Sequence, residues 1–183
     1  MKRPPDPFAK IRNATSQHRA EHDCTAYPYD DGPLLSVLAA TAHARRILEL
    51  GTALGYTALS FAYGAPDSTV DTVDRDEEHV RLARDNIAAA ALDHRITVHH
   101  GDFAKVLSTL DPGYDLAFFD GYTPTPPILA ALRKLLRSRG VLVSANLTHG
   151  GEADAYRATL LDPESWLTAF VGADRETAIS IKL

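Results

Sequence analysis

A single cysteine, Cys24, leaves no partner for an intramolecular disulfide and fits a reducing cytoplasm, the expected compartment. Long apolar runs are also missing: nothing approaches the roughly 18 residues that a membrane span needs. The opening stretch, MKRPPDPFAKIRNATSQHRAEHD, lacks the apolar centre of a secretory signal. Basic charge is not in excess either. With 19 Lys and Arg against 24 Asp and Glu, the formal net charge of -5 provides no global field for nucleic acid, which is not the expected partner. Arg133, Lys134, Arg137 and Arg139 form a local cluster, read as a solvated helix end favoured by the helix dipole. Internal repeats and low-complexity tracts are absent.

What is present is alternation. The 183 residues suit one domain with a sizeable core, in which 1–32 form a polar, proline-punctuated cap and 33–183 the core. The cap holds one expected helix, about Phe8 to Glu21. Helices are then expected over Leu34–Ala44, Tyr56–Tyr63, Glu77–Leu92, Phe103–Leu110, Pro126–Arg137 and Glu152–Leu161. Strands are expected over Arg46–Leu50, Thr69–Val73, Ile96–His100, Asp115–Phe119, Val141–Ser144, Trp166–Val171 and Thr177–Leu183. Val80, Ala83, Ile87 and Ala91 have helical spacing, whereas LAFF at 116–119 is continuously apolar, as in a strand buried on both faces. Such a pattern predicts an α/β fold: a doubly wound, mostly parallel sheet of seven strands with an antiparallel C-terminal strand. The final hairpin leaves a sheet edge on which a second copy of the chain could pack.

The richest segment is ILELGTALGYTALSF at 47–61, an apolar strand that enters a helix through a glycine turn. Open α/β sheets bind nucleotide-like ligands at such turns. Gly51 reverses the chain, and Gly55 allows a close backbone approach. The spacing is G-x-x-x-G, with Ala53 where a dinucleotide fingerprint has its middle glycine, and no Walker lysine follows. A pyrophosphate ligand is therefore not expected. Glu49 beside the turn suits a cationic group, so the ligand that fits is a nucleoside with an amino-acid tail and no phosphate. S-adenosylmethionine is that molecule.

Polar residues also follow the other strands: Asp74, Asp102, Asp120 and Asn146. In an open parallel sheet these positions share the carboxyl edge, where ligands bind. Asp74 lies at a spacing from Gly51 suited to a ribose diol, although an N-cap of the next helix would also place an Asp there. Asp102 could accept from an adenine amino group while Phe103 stacks nearby, or could cap a helix. Asp120 sits centrally, where a reacting group would lie.

These segments resemble the class I S-adenosylmethionine-dependent methyltransferases, and within them the small catechol and caffeoyl-CoA type O-methyltransferases. The resemblance rests on RRILELGTALGYTALSFA, VDTVDRDEEHVRLARDNI, HHGDF, YDLAFFDGY and GVLVSANLTHGG, and extends over nearly everything after about Tyr27. It implies a Rossmann-like sheet, with Glu49, Gly51 and Thr57 around the methionine part of the cofactor and Asp74 on the ribose. Asp102 and Phe103 would border the adenine, and Tyr27 would cover the ligand. Asp120 and Asn146 match two members of the family's divalent-metal triad. Ala145 replaces the expected carboxylate, and the lysine that often follows the strand-four acid is missing, so no metal ligands are assigned.

The expected activity is methyl transfer to a hydroxyl of a small phenolic or natural-product-like molecule, without a metal. The rival readings are a nucleic-acid methyltransferase, a non-methylating enzyme on the same fold, and a non-catalytic module that only binds the cofactor. A hydroxyl acceptor needs a base. His149 is the expected base, with Asp120 orienting the acceptor and Asn146 the third expected catalytic residue. Tyr29 and Tyr122 could frame an aromatic ring. His18 and His22, four residues apart on the first helix, could share a metal or line a lid, but also suit a plain surface.

Overall fold

In the computed structural model, residues 5–121, 124–172 and 175–183 are described. In chain order the elements are α1 (Ala9–His22), α2 (Gly32–Thr41), β1 (Arg46–Leu50), α3 (Tyr56–Gly64), β2 (Thr69–Asp74), α4 (Glu77–Ala89) and β3 (Ile96–His100). They continue with α5 (Phe103–Leu107), β4 (Tyr114–Phe119), α6 (Pro126–Leu135), β5 (Leu136–Ser144), α7 (Ala153–Leu160), β6 (Trp166–Val171) and β7 (Thr177–Lys182). The strands form one sheet in the order β3-β2-β1-β4-β5-β7-β6, with β1 to β5 parallel.

Successive strand residues point to opposite faces, and the central strands bury both. Ile47, Leu116, Phe118 and Val143 pack with α2, α3 and α4 on one side. Leu48, Leu50, Ala117, Phe119 and Leu142 pack with α6 and α7 on the other. Glu49 shares the first set's parity, so its carboxyl enters that layer at the strand's carboxyl end. Sheet order reverses at β1, whose neighbours are β2 and β4. The ligand crevice of such a sheet lies at this switch.

Two details differ from the pattern expected. The helix predicted to Arg137 ends at Leu135, and β5 starts immediately. The Arg137 guanidinium pairs with Asp115 at 2.5 Å, and the Gly113 amide donates to the Leu135 carbonyl at 2.8 Å, which draws this segment into the sheet. Arg139 then takes a left-handed conformation (φ 62°), and the β4–β5 register shifts there. Only Arg133 and Lys134 occupy a helix end; Arg137 and Arg139 belong to the strand. The second difference is at the C-terminus. β7 is antiparallel to both β5 and β6 and lies between them, so the sheet edge is β6. Ala178 and Ser180 are fully buried, whereas β6 exposes Leu167, which explains which strand takes the inside position.

The cap is fastened at its start. Asp6 accepts a 2.8 Å hydrogen bond from the Tyr56 hydroxyl and pairs with Arg12 at 3.3 Å. The same hydroxyl accepts from the Gly32 amide at 3.0 Å. Of α1, Thr15 is buried and Ile11 packs against the core, and these polar ties add to that contact. Among the described residues, no helix is long and apolar enough to cross a membrane.

Candidate active site

The glycine turn places three left-handed residues within five: Gly51 (φ 104°), Ala53 (φ 43°) and Gly55 (φ 89°). Ala53 therefore occupies a conformation that suits glycine, at a cost of about 1–2 kcal/mol for an L residue. Its amide donates to Asp74 Oδ2 at 2.9 Å, which holds the turn against the end of β2. A side chain at Gly51 would meet the Asp120 carbonyl oxygen at 2.8 Å. Gly51 thus serves the close approach of β1 and β4 as well as the cavity, and a bulkier residue there would disturb both.

A cavity of about 270 Å³ opens at this edge, and its lining includes Tyr27, Gly51, Asp74, Asp102, Phe103 and Asp120. The structure thus brings six of the expected site residues to one cavity. Tyr27 is exposed, and Arg19 both stacks on its ring at 3.6 Å and donates to its hydroxyl at 2.5 Å. Asp102 is also a helix cap: its Oδ1 accepts from the amides of Ala104 and Lys105 at 3.0 and 3.3 Å. Capping and cavity lining coexist, because Oδ2 takes no part in the cap.

Behind the turn lies Glu49, fully buried. Its Oε2 accepts from Thr72 Oγ1 at 2.5 Å, and Thr72 meets Thr52 at 2.6 Å. Oε1 has no partner in hydrogen-bonding geometry. Burial pushes the Glu49 carboxyl up to about 7, with the nearby Thr57 and Thr72 hydroxyls opposing and the charge on Asp74 helping. Thr57 thus acts on Glu49. Asp120 is raised well above the usual carboxylate range, first by burial and then by Glu49, with the Asn146 amide opposing. The two carboxyls titrate as a pair that resists holding two charges. An unpaired buried acceptor and a second acid at a cavity wall make a site that favours a cation.

This has a measurable consequence for the unliganded protein. Glu49 binds its proton more tightly folded than unfolded, so its contribution to stability is full below about 4.5, declines as pH rises, and reaches its floor above about 7. The difference amounts to about 3 kcal/mol. Glu49→Gln should therefore gain stability relative to wild type across that window, as read by chemical denaturation at a series of pH values. Parallel profiles would remove the neutral buried carboxyl.

Asp74 is organised differently. Burial opposes its ionisation, but hydrogen bonding from His79 and from the amides of Asp76 and Ala53 outweighs this and lowers its pKa. Its carboxylate stays charged; Oδ1 faces the Asp76 amide and His79, and Oδ2, which takes only the Ala53 amide, keeps a lone pair for a ligand. Sequence reasoning missed His79, which lines the cavity with its ring 3.8 Å from Asp74. The available signal was its position three residues after the α4 cap, Asp76, which places it on the turn nearest β2.

Asn146 has φ 60° and donates through Nδ2 to Asp120 Oδ1 at 3.1 Å and to the Gly121 carbonyl at 3.2 Å. Ala145 is buried in the apolar layer with Val143. His149 is exposed in the turn after β5, with Nδ1 3.4 Å from the Thr148 hydroxyl, and it is not part of the cavity lining. Tyr29 packs edge-on against Phe118 at 5.3 Å, and Tyr122 lies outside the described residues. His18 and His22 stand side by side, with ring centroids 4.5 Å apart.

Comparison with known proteins identifies the family and the fold. The family model described as O-methyltransferase matches residues 4–155. A Mycobacterium tuberculosis protein named "Probable O-methyltransferase" is 36% identical over 126 residues, covering 67% of this chain and 56% of that protein. The "Catechol O-methyltransferase" of the same organism is 35% identical over 136 residues, covering 72% and 61%. These matches span less than two thirds of either relative. The crystal structure of the O-methyltransferase TomG from Streptomyces achromogenes, involved in tomaymycin synthesis and bound to S-adenosylmethionine, shares the fold. Its TM-score is 0.82 at 24% identity, over 99% of this chain and 90% of that one.

Proposed function

The chain belongs to the O-methyltransferase family, and on that premise we propose that it moves a methyl group from S-adenosylmethionine to a hydroxyl of a small phenolic or natural-product-like molecule, without a divalent metal. One observation carries the reading. Asp74, Asp102 and Asp120, at the ends of three successive parallel strands, line a single cavity beside a left-handed glycine turn, and Glu49 lies fully buried behind that turn with an unpaired oxygen.

The cofactor supplies a methyl group on a sulfonium, which leaves with the sulfur's electron pair restored as the acceptor oxygen takes the carbon. The chain's own residues bind, align and move one proton. Asp74 Oδ2 has a free lone pair for the ribose diol, Asp102 and Phe103 border the adenine, and Glu49 with Asp120 offsets the positive charge. Alignment of donor and acceptor is the main source of rate in such a displacement. Asp120 then accepts the acceptor's hydroxyl proton. It stands on the cavity wall, and a sulfonium charge beside it favours the ionised form that a base needs, so it takes the role that the sequence pattern suggested for His149. Asn146 orients it.

The donor set speaks against a metal at the family's position. Ala145 offers no oxygen, and Asn146 turns its amide nitrogen toward Asp120, which leaves one carboxylate for a cation that prefers several oxygens. Transfer of label from methyl-labelled S-adenosylmethionine to a panel of phenols, in excess chelator and with magnesium restored, tests both parts of the proposal. Wild type is expected to turn over equally in either condition, and Ala145→Asp to gain magnesium dependence. Wild-type activity that disappears on chelation and returns with magnesium would reject the metal-free route. Binding of the cofactor with no labelled product from any acceptor would favour the non-catalytic alternative.

A further inference from the structure

On the cap side of the same cavity three side chains converge, of which His79 also supports Asp74. His18 comes from α1, Cys24 from the segment after it, and His79 from α4, and their metal-ligating atoms all lie within 4.8 Å of one another. Asp23, left-handed at φ 48°, turns the chain after α1 so that Cys24 returns toward α4. His79 is the built part of the cluster. Its side chain is 4% exposed, its Nδ1 faces Asp74 Oδ1 at 3.8 Å, and its Nε2 is buried without a hydrogen-bond partner. Cys24 Sγ lies within 4.8 Å of the same imidazole, and the His18 ring lies 5.4 Å from it edge-on.

We propose that His18, Cys24 and His79 bind a zinc ion that clamps the cap segment onto α4 at the rim of the cofactor cavity. Two imidazoles and a thiolate are donors that select zinc over magnesium or calcium. Zinc–nitrogen bonds of about 2.0–2.1 Å and a zinc–sulfur bond of about 2.3 Å put tetrahedral ligands roughly 3.5 Å apart. The present spacing closes to that by side-chain rotation of about an ångström. Asp74 behind Nδ1 is the carboxylate that a metal-bound histidine commonly uses to fix its ring. Binding exchanges the Cys24 thiol proton, and any proton on His79 Nε2, for the metal, and the protons leave to solvent. The fourth position is open to water or to His22, one helical turn beyond His18. The clamp spans residues 24–27, of which Thr25, Ala26 and Tyr27 line the cavity. Zinc would therefore hold the cover in place independently of the chemistry below it.

The test uses metal alone, with no cofactor or acceptor, so it stands apart from the methyl-transfer reading. Cobalt(II) titrated into the full chain under reducing conditions should give tetrahedral d–d bands and a thiolate-to-metal charge-transfer band saturating at one equivalent, and zinc should displace it. Cys24→Ser should lose the charge-transfer band. His18→Ala and His79→Ala should each weaken zinc, in competition with a chromophoric chelator, by more than the roughly 10–100-fold that an outer-shell change costs. Zinc should raise the unfolding temperature of wild type and not of Cys24→Ser, which is conservative enough to fold. Binding that survives in Cys24→Ser and His79→Ala but vanishes in His22→Ala would assign the metal to the His18–His22 pair on α1 and overturn the proposal. So would cobalt spectra without a thiolate band, or saturation well below one equivalent.

Discussion

Replacing Asp120 with asparagine is expected to lower turnover by about two to four orders of magnitude, the usual worth of a positioned base, while S-adenosylhomocysteine still binds. Asparagine has nearly the same shape and keeps an oxygen for the Asn146 amide, which now sits 3.1 Å from Asp120 Oδ1. What it removes is the capacity to take a proton. The substitution also relieves Glu49 of a neighbouring carboxyl, so the fold is not expected to suffer. Single-turnover rates with labelled cofactor, alongside calorimetric titration of S-adenosylhomocysteine, separate chemistry from binding. His149→Ala is the natural comparison. If it loses turnover while Asp120→Asn retains it, the base is His149 and the assignment from cavity geometry is wrong.

The second large effect is expected at Asp74. Truncation to alanine removes a charged acceptor from the proposed ribose position, and the loss of such a buried partner costs about 1–3 kcal/mol. Affinity for S-adenosylmethionine and S-adenosylhomocysteine should fall by about one to two orders of magnitude. Asp74 also accepts from the amides of Ala53 and Asp76 at 2.9 and 3.0 Å, so alanine loosens the glycine turn as well. Asp74→Asn keeps an acceptor for one of those amides and is expected to fall between wild type and alanine. Calorimetric titration of all three reads the order. Equal affinities would withdraw the ribose assignment, and tight binding of a nicotinamide dinucleotide in place of the adenosyl ligands would overturn the functional reading.

Gly51 is a less direct probe than its motif suggests. From the spacing it serves the ligand, and a side chain there should abolish binding in a folded protein. In the fold its missing Cβ faces the Asp120 carbonyl at 2.8 Å with φ at 104°, so substitution strains the junction of β1 and β4 first. Stability and binding would fall together.

Much of the molecule is legible in the sequence alone. Strands β1, β3 and β6 stand where the sequence places them: β1 is an apolar run buried along its length, and β3 and β6 are edge strands with one face more exposed than the other. The acid after each strand could be read as a row because parallel βα units put every strand's carboxyl end on one edge. So Glu49, Asp74, Asp102 and Asp120 were assigned to one edge without coordinates. Helix boundaries and the β5 extension were not legible, since the Arg137–Asp115 pair and the Gly113–Leu135 hydrogen bond join segments distant in sequence. The place of β7 between β5 and β6 likewise depends on which hairpin strand hides more side chain, a question settled only by packing.

Residue roles divide along the same line. Composition and spacing determined the fold class, the glycine turn and the carboxylates at the cavity, all set by local chain geometry and a strict strand–helix rhythm. The tertiary structure decided what each carboxylate is. Asp74 is held charged by two amides and His79, whereas Glu49 and Asp120 are pressed toward neutrality by burial and by each other. It also moved His149 out of the cavity lining and brought His18, Cys24 and His79 together from three segments. The physical reason is common to all of these. Charge state and ligand geometry depend on desolvation and on through-space neighbours within a few ångströms, and neither quantity is written in the order of residues along a chain.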